Sequence, residues 1–337
     1  MGFAPKNVFI NEKNIYFSKY LPLKNIILEK NNSLLEIEKK YIFSLFCPGK
    51  CQNNSFINKL FITSNFNFGN ILVLLNKLIF YCEIIGCKTI ILDKKKFWFI
   101  NHKIQISTKN LSIDVGYYNN SLYLVSNINK LLFSFFKIRP EIRINLIRNE
   151  IISNLPKINT SKKCLYIHIR SGDIFSIKPN GFYSQPPLCF YQTILNNYNF
   201  TKIHLISMDK KNPVIVKLIN QYSNLLYYND SIKNDISKLL NAYNIIASVS
   251  SFLNLIIQMN NNLEFLWDYN IYKTSEKIIL YHYDLYKYPN RNFTIFRMEP
   301  SSRYSRKMYI WKNNKIQRKL MIKEKCENYF SLINKEI

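Results

Sequence analysis

Three short groups of polar residues have the composition of a site for a phosphorylated ligand. They are Arg170-Ser171-Gly172-Asp173, Ser207-Met208-Asp209 and Ser248-Val249-Ser250-Ser251-Phe252. An arginine fork binds phosphate oxygens, and a serine-rich helix start offers free N–H groups and a favourable dipole to an anion. Asp173 and Asp209 are acceptors suited to ribose hydroxyls, a base N–H or a nearby arginine. These residue types predict a phosphate-binding site.

Each polar group follows a segment with the pattern of a buried strand. These strands are predicted at Cys164–Ile169, Ile203–Ser207 and Asn244–Ser248, with others at Leu225–Tyr228 and Leu263–Trp267. Helices are predicted between them at Leu188–Asn197, Pro213–Tyr222, Asp235–Tyr243 (capped by Asn234 or Asp235) and Ser251–Met259. Such alternation predicts an α/β fold with a doubly wound parallel sheet. Because the carboxyl ends of parallel strands share one edge, the three groups are expected to converge on one ligand.

Several of these residues also have an ordinary structural interpretation. Ser250 or Ser251 can serve as a helix N-cap without contacting a ligand. Asp173 can act only to hold Arg170, and His168, which lies on a strand, can be a hydrogen-bonded core residue. The convergence of three groups favours the functional interpretation over these alternatives.

The N-terminal half predicts a second, smaller βαβ unit. A strand at Lys59–Thr63, a loop ending in Gly69, a helix over Asn70–Ile85 and a strand at Thr89–Leu92 follow one another. The predicted organisation has four segments: an N-terminal extension (1–57), a first Rossmann-like domain (58–158), a second Rossmann-like domain (159–290) and a basic helical tail (291–337). The tail is expected to be anchored by Met308, Trp311, Ile316 and Leu320.

Composition and charge restrict the class of protein. Of 337 residues, 47% are hydrophobic, which excludes a disordered chain, and the formal net charge of +26 favours anionic partners. The lysines are scattered and no zinc-finger or RNP motif occurs, so nucleic acid is not the favoured partner. The N-terminus has no apolar signal region, and the apolar run Ile71–Leu92 is interrupted by charges. A cytoplasmic protein is expected, with peripheral contact to an acidic membrane surface as a further option.

The seven cysteines have no spacing that indicates a disulfide framework. An odd count without such a pattern favours a reducing compartment. Cys47 and Cys51, in C-P-G-K-C, have the spacing of a metal site or a bridge, but no second pair of ligands lies nearby. No metal site is therefore predicted.

The motif H-I-R-S-G-D at residues 168–173 resembles the H-x-R-x-x-D signature of the GDP-fucose-dependent α1,2-, α1,6- and protein O-fucosyltransferases. N-F-G-N at Asn67–Asn70 is similar to the glycine loop of that superfamily, and S-V-S-S-F at Ser248–Phe252 to its S-S-F motif. The resemblance implies a GT-B fold, with two Rossmann-like domains whose parallel sheets face a cleft. It also implies an inverting transfer without metal or cofactor, from a GDP-sugar donor expected to be GDP-fucose.

The resemblance assigns a role to each matching position. Arg170 would neutralise the β-phosphate with support from Asp173, while Asp209 and Phe252 would contact the nucleoside. Ser250 and Ser251 would contact the phosphates, and Gly69 and Asn70 would face the acceptor. The predicted catalytic residues are Arg170, Asn70 and Asp173, and the predicted nucleotide-binding set adds His168, Ser171, Gly172, Asp209, Ser250, Ser251 and Phe252.

The chain departs from the superfamily pattern at two positions. Ser171 stands where a second arginine occurs in H-x-R-R-x-D, and Lys178 stands where α1,6-type enzymes carry a glutamate base. The predicted activity is the inverting, metal-independent transfer of a sugar onto a glycan or other hydroxyl acceptor, with no base assigned. The alternative is a non-catalytic basic α/β protein that binds nucleic acid or an acidic surface.

Overall fold

The chain divides into two compact units, Met1–Asn154 and Leu155–Ile337. The computed structural model describes most of the second unit, at residues 155–181, 183–269, 293–326 and 330–333. In the first unit it describes residues 10–11, 14–15, 59–62, 75, 79, 89–93, 99–100, 104–106, 111–116 and 148–154.

The described part of the first unit contains a mixed sheet. Its strands are β3 (Lys59–Ile62), β4 (Thr89–Asp93), β5 (Ile104–Ile106) and β6 (Leu111–Gly116). The strands β1 (Ile10–Asn11) and β2 (Asn14–Ile15) pair with each other in a separate antiparallel sheet. β3, β4 and β6 are parallel in the order β3-β4-β6-β5, with β5 antiparallel at the edge. Leu75 and Ile79, in the helix predicted between β3 and β4, are helical and fully buried. Helix α1 (Arg148–Ser153) ends the unit.

The second unit alternates strands with helices. Its strands are β7 (Cys164–His168), β8 (Lys202–Ile206), β9 (Leu225–Tyr228), β10 (Asn244–Ala247), β11 (Phe265–Tyr269), β12 (Thr294–Met298) and β13 (Phe330–Ile333). Its α-helices are α2 (Leu188–Asn197), α3 (Pro213–Gln221), α4 (Ile232–Asn241), α5 (Ser251–Met259), α6 (Ser302–Met308) and α7 (Lys315–Lys323). A short 3-10 helix covers Gly172–Phe175.

The sheet of the second unit has the doubly wound order. Its strands lie in the order β13-β12-β11-β10-β7-β8-β9, in which β7 to β12 are parallel and β13 is antiparallel to β12. Numbered from β7, the parallel strands run 6-5-4-1-2-3, the order of a dinucleotide-binding sheet. The predicted α/β class, with a parallel sheet and a C-terminal helix, is confirmed.

Both faces of the central strand are covered, which explains why every residue of β7 is buried. Leu165 and Ile167 belong to the hydrophobic core that includes residues of α2, α3 and α7. The alternating residues Tyr166 and His168 point to the other face. There the His168 ring lies beside Phe252 of α5, which packs against α4.

The segment after residue 290 contributes β12 to the sheet as well as two helices. Met308, Trp311 and Leu320 are buried, as expected for apolar anchors. The expectation for Ile316 is wrong: its side chain is 68% exposed, because α7 is buried through Gln317, Leu320 and Met321.

Two further expectations are corrected. The N-cap of α4 is Ser231, whose hydroxyl accepts from the Asn234 N–H, so the helix begins before Asn234. Cys189 and Cys326 form a disulfide across 137 positions. Local cysteine spacing carries no signal of a pairing at that separation.

Among the described residues, no helix has the length and apolarity to cross a membrane.

Candidate functional site

The candidate site lies where the sheet changes direction of winding. β7 and β10 are neighbours, and the chain continues from β7 into α2 on one face and from β10 into α5 on the other. Diverging connections of this kind leave a crevice beyond the carboxyl ends of the two strands, where open α/β sheets bind ligands. Arg170 follows β7 at this point, and Ser248 and Ser250 follow β10.

Ser248 joins the two strand ends. Its Oγ accepts a hydrogen bond from the Arg170 N–H at 3.0 Å and lies 3.3 Å from Nδ1 of His168. Burial, and secondarily the positive charge of Arg170, lower the pKa of His168 to about 3. The ring is therefore neutral near pH 7, and its Nδ1 can accept the Ser248 O–H. His168 is 8% exposed and supports the strand ends from the face of α5.

The Arg170 guanidinium is held in one direction by two neighbours. Its Nη2 lies 3.1 and 3.0 Å from the two carboxylate oxygens of Asp173, and its Cζ lies 4.2 Å from the ring centre of Tyr183. The arginine side chain is 16% exposed, and among the described residues its buried Nε has no hydrogen-bond partner. A cation that is held in one direction at the end of β7 is suited to an anionic ligand.

Asp209 fixes the turn that follows β7. Its Oδ1 accepts from the Ser171 hydroxyl, from the Gly172 N–H at 3.2 Å and from the Lys211 N–H at 3.0 Å. Its Oδ2 lies 3.3 Å from Lys211 Nζ. Burial alone would raise the pKa of Asp209, but these hydrogen bonds outweigh it and lower the pKa. Asp209 is thus engaged by protein donors, and its contact with a nucleoside stays a prediction.

Gly172 is required by the backbone of the same turn. Its φ of +68° lies in the left-handed region, which glycine adopts without a steric penalty. A Cβ at this position would lie 2.5 Å from Sδ of Met208, which follows β8. Because Met208 is a flexible side chain that is 68% exposed and can move aside, the backbone conformation is what favours glycine at this position.

The N-terminus of α5 is capped by its own sequence. The buried Ser250 accepts from the Phe252 N–H at 3.3 Å, which is the ordinary N-cap role. Ser251 is the first helical residue. Contact of either serine with a phosphate stays a prediction.

The C-terminal segment holds the loop after β7 in place, a role that sequence reasoning missed. The indole N–H of Trp311 donates to the Ile174 carbonyl at 2.6 Å, and its backbone N–H donates to the Gly181 carbonyl at 2.9 Å. Trp311 also packs edge-on against Phe175. The apolar pattern indicated that Trp311 is an anchor, but nothing in it indicated which loop is anchored.

Gln185 is a second residue that the sequence did not single out. It is fully buried, and its Nε2 donates to the Tyr183 carbonyl at 2.9 Å and to the Val249 carbonyl at 3.2 Å. The backbone carbonyl of Gln185 accepts from the Tyr304 hydroxyl at 2.7 Å. Gln185 therefore connects the loops after β7 and β10 to the C-terminal segment.

The predicted site residues fall into three classes. Arg170 pairs with Asp173, and Ser171 and Gly172 both donate to Asp209, while His168, Ser250, Ser251 and Phe252 lie on β7 and at the start of α5. Gly69 and Asn70, predicted on the acceptor side, lie outside the described residues.

No protein-family model and no curated protein sequence matches the chain. Among solved structures, it is similar to the E. coli heptosyltransferase WaaC with ADP. The TM-score is 0.32 and the sequence identity 9%, over 62% of this chain and 86% of that one.

Proposed function

We propose that this chain is a glycosyltransferase that binds a nucleotide sugar at the carboxyl edge of the second unit. The observation that carries the proposal is the position of Arg170 at the crevice between β7 and β10. This arginine is oriented by Asp173 and Tyr183, and its side chain is 16% exposed. A diphosphate at this crevice would meet a cation on one side and the N-terminus of α5 on the other.

The chemistry of sugar transfer fits such a site. The acceptor hydroxyl oxygen attacks the anomeric carbon, and the bond from that carbon to the diphosphate oxygen breaks. The electron pair of that bond leaves with the diphosphate, and the hydroxyl proton passes to solvent water. A preorganised positive charge at the leaving group is the main catalytic contribution expected for such a step. Arg170 supplies that charge, and Asp173 and Ser248 position it through its side chain and backbone.

The proposal assigns the acceptor side to the first unit. Gly69 and Asn70 would face the acceptor hydroxyl in a GT-B arrangement, as the resemblance to fucosyltransferases implies. Asn70 can orient a hydroxyl but does not take its proton at neutral pH, and Lys178 replaces the glutamate base of α1,6-type enzymes. The proposed donor is a GDP-sugar, with GDP-fucose first, although Ser171 donates to Asp209 where a second arginine would bind the donor.

A panel of nucleotide sugars in a thermal-shift assay tests the proposal. We expect GDP-sugars to raise the melting temperature of the full chain and the Arg170→Ala variant to lose this response. Arg303→Ala removes an exposed arginine elsewhere and should respond as wild type does. If duplex DNA stabilises the protein and no nucleotide sugar does, the non-catalytic binding protein is the better account.

A further inference from the structure

We propose that the C-terminal segment and the tip of the loop after β7 form a surface that binds anionic lipid membranes. This surface, here named the basic face, consists of three exposed isoleucines among lysines and arginines. The isoleucines are Ile177, Ile310 and Ile316, which are 98%, 52% and 68% exposed. The inference does not depend on the proposed enzymatic activity.

The three isoleucines are brought together by contacts around Asn313. Asn313 Nδ2 donates to the carbonyl of Ser176, the neighbour of Ile177, at 2.9 Å. Ile310 and Ile316 flank Asn313 on the C-terminal segment, and Asn313 Oδ1 accepts from Nε of Arg318 at 2.7 Å. Single exposed apolar side chains are common, but here exposed isoleucines of two segments lie within three positions of a hydrogen bond that joins those segments.

The same region is strongly basic. Residues 302–325 contain nine lysines and arginines and one acidic residue, Glu324. Lys178, beside Ile177, is exposed too. The exposed basic side chains of the C-terminal segment are Arg303, Arg306, Lys307, Lys312, Lys315, Lys319, Lys323 and Lys325. A positive surface with apolar tips complements anionic headgroups above hydrocarbon.

Other occupants fit this surface less well. A second copy of the chain would bring two basic faces together, which like-charge repulsion opposes. Single-stranded nucleic acid would satisfy the charges, but it binds through bases stacked on aromatic rings, and the most exposed apolar residues here are isoleucines. Isoleucine has no planar face to stack on, whereas it partitions readily into the acyl boundary of a bilayer.

The basic face adjoins the candidate site along the chain. Ile177 lies four positions after Asp173, in the loop that Trp311 anchors. A membrane contact there would hold the carboxyl edge of the sheet close to the lipid surface.

Co-sedimentation of the full chain with lipid vesicles tests the inference. We expect binding to vesicles of phosphatidylcholine mixed with phosphatidylglycerol and little binding to phosphatidylcholine alone. Lys312→Gln and Lys315→Gln should each weaken binding about fivefold. Ile177→Ser and Ile316→Ser should each weaken it about tenfold, and all four positions are exposed, so folding should be retained.

Matched controls use exposed residues of other elements. Ile232→Ser at the start of α4 and Lys202→Gln at the start of β8 should bind as wild type does. Equal binding to both kinds of vesicle would overturn the inference. So would loss of binding in the lysine variants with none in the isoleucine variants, since that pattern indicates a soluble polyanion as the partner.

Discussion

Asp173 contacts Arg170 through both carboxylate oxygens, which lie 3.1 and 3.0 Å from the same guanidinium nitrogen, Nη2. The carboxylate engages this one nitrogen, and within the described part of the chain Nε has no hydrogen-bond partner. The pair therefore fixes the direction of the cation without using all of its donors. Such an arrangement at the end of β7 is the basis for regarding Arg170 as the anion-binding group.

Replacing Arg170 tests this assignment. Arg170→Ala should weaken the binding of GDP by about 10- to 100-fold, because a charge-assisted hydrogen bond contributes about 1.5–3 kcal/mol. Arg170→Lys should recover only part of this affinity, since an ammonium lacks the planar fork. Isothermal titration calorimetry measures both effects, and wild-type affinity in the alanine variant would contradict the role of Arg170.

Replacing Asp173 tests whether its carboxylate orients Arg170 for the ligand or competes with the ligand for Arg170. Asp173→Ala should weaken GDP binding by less than Arg170→Ala does, because the arginine keeps its charge but loses its direction. The free energy of unfolding should change by no more than about 1 kcal/mol, since the carboxylate is half-exposed. Calorimetry and urea denaturation report the two quantities. Tighter GDP binding in the variant would mean that Asp173 competes with the ligand for Arg170.

Trp311 should stabilise the fold and position the loop. Trp311→Phe leaves the Ile174 carbonyl without its indole donor and creates a small cavity. We therefore expect the free energy of unfolding, measured by urea denaturation, to fall by about 2–4 kcal/mol. We also expect GDP to bind more weakly. Trp267→Phe is the matched control. Trp267 is equally buried, but its indole nitrogen has no hydrogen-bond partner among the residues that the structure describes. Trp267→Phe should therefore destabilise the protein less than Trp311→Phe and leave GDP affinity unchanged. Equal effects of the two variants on GDP affinity and stability would contradict the positioning role of Trp311.

His168 should make the free energy of unfolding decrease as the pH falls below about 6.5. Burial, and then the charge of Arg170, lower its folded-state pKa from 6.5 to about 3, so between these values the unfolded chain binds a proton that the folded chain does not. Stability present above pH 6.5 is therefore lost as the pH falls toward 3. Urea denaturation at several pH values should show this slope for wild type and a flatter one for His168→Gln.

His204 provides an internal comparison for that experiment. Burial, followed by the charges of Lys238 and Lys202, lowers its pKa to about 4. His204 lies on β8, away from the loops after β7 and β10. Its ring stacks on the ring of Tyr166, with 4.6 Å between the two ring centres. His204→Gln should flatten the slope only between pH 6.5 and about 4, whereas His168→Gln should flatten it down to about pH 3. Parallel profiles for wild type and both variants would contradict the account of these histidines.

Local pattern was sufficient for the elements of the second unit up to β11. Helices α2 and α5 and strand β9 have the predicted bounds, because period and capping residues are encoded within each segment. The strands after Tyr269 were missed, since whether a segment joins a sheet depends on partners distant in sequence. β12 pairs with β11, and only the tertiary fold determines that it does.

The site was predictable to the same extent and for the same reason. Strand ends placed Arg170, Asp209 and Ser250 at one edge, which follows from parallel topology alone. The contacts of Trp311 with Ile174 and of Tyr304 with Gln185 span 137 and 119 positions and leave no local pattern. The hydrogen bond from Ser171 to Asp209 likewise joins the loops after β7 and β8, and no local pattern indicates it.

The most direct test of the central claim is an experimental structure of the chain with bound GDP. We predict that the diphosphate lies in the crevice between β7 and β10, with its oxygens in contact with the Arg170 guanidinium and the N-terminal turn of α5. A diphosphate bound elsewhere on the protein, with Arg170 still held only by Asp173 and Tyr183, would contradict the account.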